Sequence, residues 1–179
     1  MSIFDFYNIL DTEDPSIGIK EHEEEIFEMI PELKKCKDFD NETDNKYKIY
    51  ETTLRAVDML PKDLTLRLSA LFEYTGKPYT FTKESDGEEL FYNYNVVSCG
   101  IFGRFATKFN VNNSIRGDIT DLILYHNYNF NIKDEDDRKV LFNRFNQEKS
   151  DKLYKLKEAN IKADVEVKLN KRNIYEKVK

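Results

Sequence analysis

The chain has 179 residues, room for one domain of ordinary size with a core of its own. It carries 28 Lys plus Arg against 34 Asp plus Glu, a formal net charge of −6, which argues against coating duplex DNA or an anionic membrane. Its 13 Phe and 11 Tyr supply bulky core material for a soluble, globular fold, whereas its 2 His and 2 Cys are scattered singly and make no Cys/His zinc site.

Taken from the start, Met1-Ser-Ile-Phe-Asp-Phe-Tyr lacks the basic and apolar regions of a signal peptide, and no apolar run approaches the ~20 residues that span a bilayer. Cys36 and Cys99 read as reduced thiols, and a cytoplasmic protein with no membrane partner is expected. Residues 1–45 hold 14 acids and 4 bases, so the expectation is an acidic N-terminal arm over 1–24 on a mildly basic body. Ile19 to Ile30 reads as an acid-rich helix stopping before Pro31, its run Glu21 to Glu25 a solvated face.

From Asn45, Tyr47, Tyr50, Leu54 and Val57 recur at three- and four-residue steps and predict one apolar helix face. Pro61 is expected to open the next helix, with Asp63 at its positive end and Leu64, Leu68, Leu71 and Phe72 on its buried face. Gly76-Lys-Pro ends it. Tyr79-Thr-Phe-Thr and Leu90-Phe-Tyr around Asp86-Gly87 predict a short β-hairpin. Helices follow at Val96–Lys108, Ile115–His126, Asp134–Phe145 and about 148–164. Val165–Lys179, with five bases and two acids, is a basic tail, either frayed or a strip for a partner. The fold class expected is all-α with one short hairpin.

Several segments in order resemble the HD-domain superfamily of metal-dependent phosphohydrolases, and most of all the HD domain of bacterial tRNA nucleotidyltransferases. Ile30-Pro-Glu-Leu-Lys-Lys-Cys is similar to the opening of that domain, and Asn45-Lys-Tyr-Lys-Ile-Tyr-Glu-Thr-Thr-Leu to its His-x-Tyr-x-Val-Tyr-x-His-Thr-Leu. Leu71-Phe-Glu-Tyr-Thr-Gly-Lys-Pro resembles its Leu-Phe-His-Asp-Ile-Gly-Lys-Pro, and Phe91-Tyr-Asn-Tyr its Phe-Tyr-Gly-His. Leu122-Ile-Leu-Tyr-His-Asn and Leu156-Lys-Glu-Ala-Asn resemble the later histidine segment and the final Lys-x-Ala-Asp. The resemblance spans about residues 25–164 and implies an HD-like helical bundle.

It does not carry the chemistry over. An HD site holds its metal with histidines and aspartates, which lower the pKa of a bound water. At the matching positions stand Thr52 for the first His, Glu73-Tyr74 for the His-Asp pair, Tyr94 for the histidine after the hairpin and Asn160 for the final Asp. Asn45 replaces a further His, and His126 alone is retained, next to Asn127. Glu73, Thr52 and Asn160 make a poor oxygen set for a hard cation, so no metal and no cofactor are expected.

The individual residues keep two readings each. Lys77 is a phosphate-neutralising cation or a cation at a helix end. His126 is a hydrogen-bonded structural residue or a pocket ligand. Tyr74 and Tyr94 plug a dead pocket or stack on a nucleobase. Arg104 and Lys108 are surface charges or a pair at the pocket rim. The function the resemblance implies is a pseudoenzyme that binds a nucleotide, cyclic nucleotide or RNA end through Thr52, Glu73, Tyr74, Lys77, Tyr94, His126 and Asn160. A protein-interaction module working through the acidic arm or the basic tail, and a residual phosphohydrolase, are the alternatives.

Overall fold

The computed structural model describes residues 1–42, 48–85, 87–128, 130–131 and 134–177. It is an all-α fold with one short two-stranded hairpin. The helices are α1 (Ile3–Leu10), α2 (Pro15–Glu21), α3 (Glu23–Met29), α4 (Pro31–Glu42), α5 (Ile49–Met59), α6 (Leu64–Glu73) and α7 (Lys77–Thr80). After β1 (Phe81–Lys83) and β2 (Glu89–Phe91) come α8 (Tyr94–Lys108), α9 (Asn113–Tyr125), α10 (Glu135–Arg144) and α11 (Gln147–Lys177). Among the described residues no helix is long and apolar enough to cross a membrane.

Helix α6 lies at the centre, with Leu66, Leu68, Ala70, Leu71 and Phe72 all buried. Helices α5, α8, α9 and α11 pack around it, burying the faces that the apolar spacing marks. Tyr50, Leu54 and Val57 of α5 are buried; Asn45 and Tyr47, which the sequence assigns to the same helix, lie outside the described residues. The Phe72 ring packs against Phe102 and Phe105 of α8 at centroid distances of 5.4 and 4.9 Å.

Several boundaries differ from expectation for local reasons. The helix expected over 19–30 is two helices, broken at His22. Pro61 does not open α6; Asp63 caps it, its carboxylate accepting from Leu66 N at 3.1 Å. The N-terminus of α5 is capped from a distance, by Asp40 of α4, which accepts from Ile49 N at 2.7 Å and Tyr50 N at 2.8 Å. Tyr79 and Thr80 belong to α7 rather than to the hairpin, whose register is Phe81 with Phe91, Thr82 with Leu90 and Lys83 with Glu89.

The acidic N-terminal segment is not a free arm. Phe6, Leu10 and Ile19 are buried in the common core. Polar links reinforce this. Ser16 donates its backbone N–H and its hydroxyl to the Asp58 carboxylate of α5, at 2.9 and 2.6 Å. The Arg67 guanidinium of α6 donates to the carbonyls of Leu10 and Thr12. The basic tail differs too: α11 continues through it to Lys177 instead of ending near residue 164.

Candidate functional site

One cavity of about 560 Å³ opens between α5, the α6–α7 corner, the start of α8, the end of α9 and the middle of α11. Its wall contains Thr52, Tyr74, Lys77, Tyr94, His126 and Asn160, residues that the sequence singles out from positions over a hundred apart. Glu73 lies directly beneath it, fully buried.

The corner that presents these groups is built around Gly76. A Cβ there would stand 2.2 Å from the Tyr94 carbonyl oxygen and 2.9 Å from Ser98 N, so only glycine lets α7 approach α8 this closely. Ser98 fixes the contact, its hydroxyl donating to the Glu73 carbonyl at 2.9 Å and accepting from Gly76 N at 2.9 Å. Asn93, in the left-handed region at φ 51°, turns the chain from the hairpin into α8 and sets Tyr94 at the first position of that helix.

Lys77 then projects over aromatic rings. Its ammonium is 3.9 Å from the centroid of Tyr74, 5.1 Å from Tyr94 and 5.4 Å from Phe91. No hydrogen-bond acceptor and no ion-pair partner meets it among the described residues. Burial pulls its pKa down, opposed by the nearby Glu73.

His126 is fully engaged inside the protein. Its Nδ1 lies 2.7 Å from the Ile123 carbonyl, which can only accept, so Nδ1 carries the hydrogen. Its Nε2, 3.0 Å from the Tyr94 hydroxyl, accepts from it. Burial lowers the imidazole pKa to about 4, so the ring is neutral at pH 7. Of the two readings of His126, the geometry favours the hydrogen-bonded structural one. The rings of Tyr74 and Tyr94 stand 5.3 and 5.5 Å from it, and they wall the cavity without filling it. Burial raises both phenol pKa values, leaving hydroxyl groups that are neutral at pH 7.

The floor of the site is Glu73 with Asn160, whose Nδ2 donates to Glu73 Oε2 at 3.1 Å. Glu73 Oε1 and Asn160 Oδ1 are buried with no hydrogen-bond partner. Burial pushes the Glu73 carboxyl pKa up to about 8.

The cavity also contains residues that the sequence reading passed over: Lys48, Asn127, Lys157, Asp164 and Lys168, with Ile49 and Ile161 as apolar wall. Lys157, Asn160, Ile161, Asp164 and Lys168 follow each other at helical steps on α11, and Lys168 joins them because the helix runs past 164. Most of these cations have partners. Lys48 donates to the Asp40 carbonyl at 2.5 Å, Lys157 to the carbonyls of Tyr128 and Phe130, and Lys168 pairs with Asp164 at 2.5 Å. Arg104 and Lys108 are not at the rim; Arg104 pairs with Glu32 at 2.8 Å and Lys108 sits over Phe109.

Among the described residues no group of three or more His, Cys, Asp or Glu side chains stands together to hold a metal ion. The residues at the cage positions do not fit a divalent cation either. They offer an amide, a hydroxyl and one carboxyl group whose burial favours its neutral form. Neither cysteine supplies a thiolate: burial raises the Cys36 thiol pKa and lifts that of Cys99 to about 11, leaving both protonated at neutral pH. What the site offers is a cation that meets no acceptor among the described residues, aromatic walls, neutral hydrogen-bonding groups and further lysines engaged with partners of their own. The chain matches no family model, and it has no match among curated proteins.

Proposed function

We propose that this chain is an HD-like domain that has lost its metal and binds a phosphate-bearing ligand, a nucleotide or cyclic nucleotide, without cleaving it. The observation that carries this reading is Lys77, an ammonium with aromatic faces around it and, among the described residues, no acceptor, at the wall of a cavity of about 560 Å³. A cavity of that size suits a mononucleotide, and the Tyr74 and Tyr94 rings offer faces for a base. The phosphate takes the Lys77 charge as a charge-assisted hydrogen bond. Metal-assisted hydrolysis needs a water activated by a bound cation, and binding without cleavage is supported by there being, among the described residues, no group of His, Cys, Asp or Glu that could hold one. Calorimetric titration against a panel of mononucleotides and cyclic nucleotides is expected to give saturable binding that disappears in Lys77→Met; no heat from any of them overturns the reading.

A second reading, contact with a protein partner, rests on α11. Ile161, Val165 and Leu169 stand at four-residue steps and are 47%, 50% and 51% exposed, on the helix that carries the basic C-terminal residues. A partner retained by the wild type and lost in the double variant Val165→Asp, Leu169→Asp would support it.

A further inference from the structure

The floor of the cavity poses a donor-count problem. Glu73 and Asn160 are joined by one hydrogen bond of 3.1 Å, from the amide Nδ2 to Glu73 Oε2. The remaining oxygen of each side chain, Glu73 Oε1 and Asn160 Oδ1, is buried and unpartnered. With Glu73 ionised, both oxygens are acceptors, and two buried acceptors without a donor, on side chains already joined by a hydrogen bond, are a costly arrangement. Lys77 does not resolve it, since among the described residues no ion pair joins it to Glu73. A single proton on Glu73 Oε1 resolves both atoms at once: the acid O–H donates to the amide oxygen while the amide N–H donates to the acid carbonyl.

We infer that Glu73 is held as the neutral carboxylic acid, donating its proton to Asn160, and that this acid–amide pair is what leaves the Lys77 charge free for a singly charged anion. The role given to Lys77 rests on the binding reading proposed above; the protonation of Glu73 does not. Were Glu73 an anion, it would face Lys77 across a medium that screens poorly and would compete with the ligand for it. As a neutral acid it makes a polar floor without charge. The buried, apolar setting of the carboxyl group, which holds its pKa near 8, acts in the same direction.

The other ionisable groups around this floor are few. Lys77 of α7 is the cation whose field reaches Glu73, and Tyr74 and Tyr94 face it with phenols that stay protonated. His126 at the end of α9 is neutral. Asp164 of α11, Asp40 and Cys36 of α4 act on Lys77 rather than on the acid itself. Lys48, Lys157 and Lys168 also line the cavity, and burial lowers the Lys157 pKa as it does that of Lys77, so the titration of Glu73 is separated from that of the cavity lysines by its neutral isostere.

The test uses the full chain. The Glu73 carboxyl carbon, followed by carbon-13 resonance and by isotope-edited infrared spectra against Glu73→Gln, is expected to show the protonated acid at pH 7 and the carboxylate only at higher pH, with a midpoint near 8. A carboxylate already present at pH 7 overturns the inference; the wild-type titration suffices even if the variant does not fold. Cyclic AMP is the binding probe, because its single phosphodiester charge does not titrate over this range. Its affinity is expected to fall about tenfold from pH 7 to pH 9 in the wild type and to stay level in Glu73→Gln, the neutral isostere. An equal fall in the variant assigns the effect to the cavity lysines and overturns the role given to Glu73. Cyclic AMP that binds at no pH, with Glu73 shown protonated, overturns the role given to Lys77 toward a singly charged anion and leaves the acid–amide pair in place.

Discussion

Helix α6 buries a charged-type residue near each end, and the two are treated in opposite ways. Arg67 is 2% exposed, and its guanidinium makes four hydrogen bonds to three carbonyls: Leu10, Thr12 and, twice, Leu60 at 2.9 and 3.3 Å. Those carbonyls lie at or just beyond the C-terminal ends of α1 and α5, where helices have unpaired acceptors. Glu73, six residues on, is equally buried, but among the described residues no donor meets its Oε1. A buried polar group that is fully engaged ties elements together. One that is half engaged is a strain that folding alone does not explain. The Arg67 end is the structural half of the molecule and the Glu73 end the half that faces the cavity.

The largest expected effect follows at the Arg67 end. Arg67→Met removes the cation and takes the donor from the buried carbonyls of Leu10 and Leu60 and from the more exposed one of Thr12, and loses about 3–5 kcal/mol in urea denaturation. A loss under about 1 kcal/mol would mean that α1 and α5 are held by apolar packing alone.

Glu73→Gln probes the opposite end and shows up as a change in pH dependence. The wild-type carboxyl pKa is raised to about 8 from the value near 4.5 of the unfolded chain. Between those two pH values the folded protein holds a proton that the unfolded chain has released. Stability therefore falls as pH rises through this window, by about 1.4 kcal/mol per pH unit. Glutamine keeps the acid's hydrogen-bonding pattern and has no proton to release. The variant is expected to lose that slope and to be more stable than the wild type by about 2–4 kcal/mol at pH 7, read from denaturation at pH 5 to 9.

Sequence reading located the Glu73 end far better than the Arg67 end, for physical reasons. The faces of α5, α6, α8 and α9 are written in local apolar spacing, and six of the seven site residues that the sequence picks out line one cavity. Arg67 is invisible in that spacing. It looks like an ordinary helix charge, because its partners Leu10 and Thr12 are more than fifty residues away and contribute only backbone. The same blindness turned residues 1–24 into an arm: acid counts register Glu21, Glu23 and Glu24, but not that Phe6, Leu10 and Ile19 face the core. Lys157 and Lys168 were missed because their place in the cavity depends on how α11 packs on α5, which no local pattern on α11 specifies.

Tyr94→Phe tests whether the wall of the cavity behaves like the Arg67 end on a smaller scale. It takes away the hydroxyl that donates to His126 Nε2 at 3.0 Å, at a cost of about 1–2 kcal/mol. The imidazole pKa, held down to about 4 chiefly by burial, is expected to rise, since the neutral ring loses a hydrogen bond. In the wild type the unfolded chain takes up this proton below about pH 6.5 and the folded form only near 4. Stability is therefore lost as pH falls between those values, and the variant is expected to lose it less steeply. An unchanged His126 titration by proton resonance would show that the tyrosine hydroxyl does not control the ring.

The smallest stability change, and the sharpest separation of the two halves, is expected at Lys77→Met. Arg67 is bonded to acceptors that depend on it; the Lys77 ammonium rests over Tyr74, Tyr94 and Phe91 and satisfies none. Methionine keeps the apolar stem and makes its own contacts with the rings, while removing a charge whose burial is unfavourable. Stability should stay within about 1 kcal/mol of wild type, on the side of a gain. Binding of cyclic AMP should be lost in the same variant. A folded, stable protein that no longer binds marks Lys77 as a residue kept for the ligand. A loss approaching that of Arg67→Met would instead make the lysine structural, and the two ends of α6 would then differ only in how well their buried groups are satisfied.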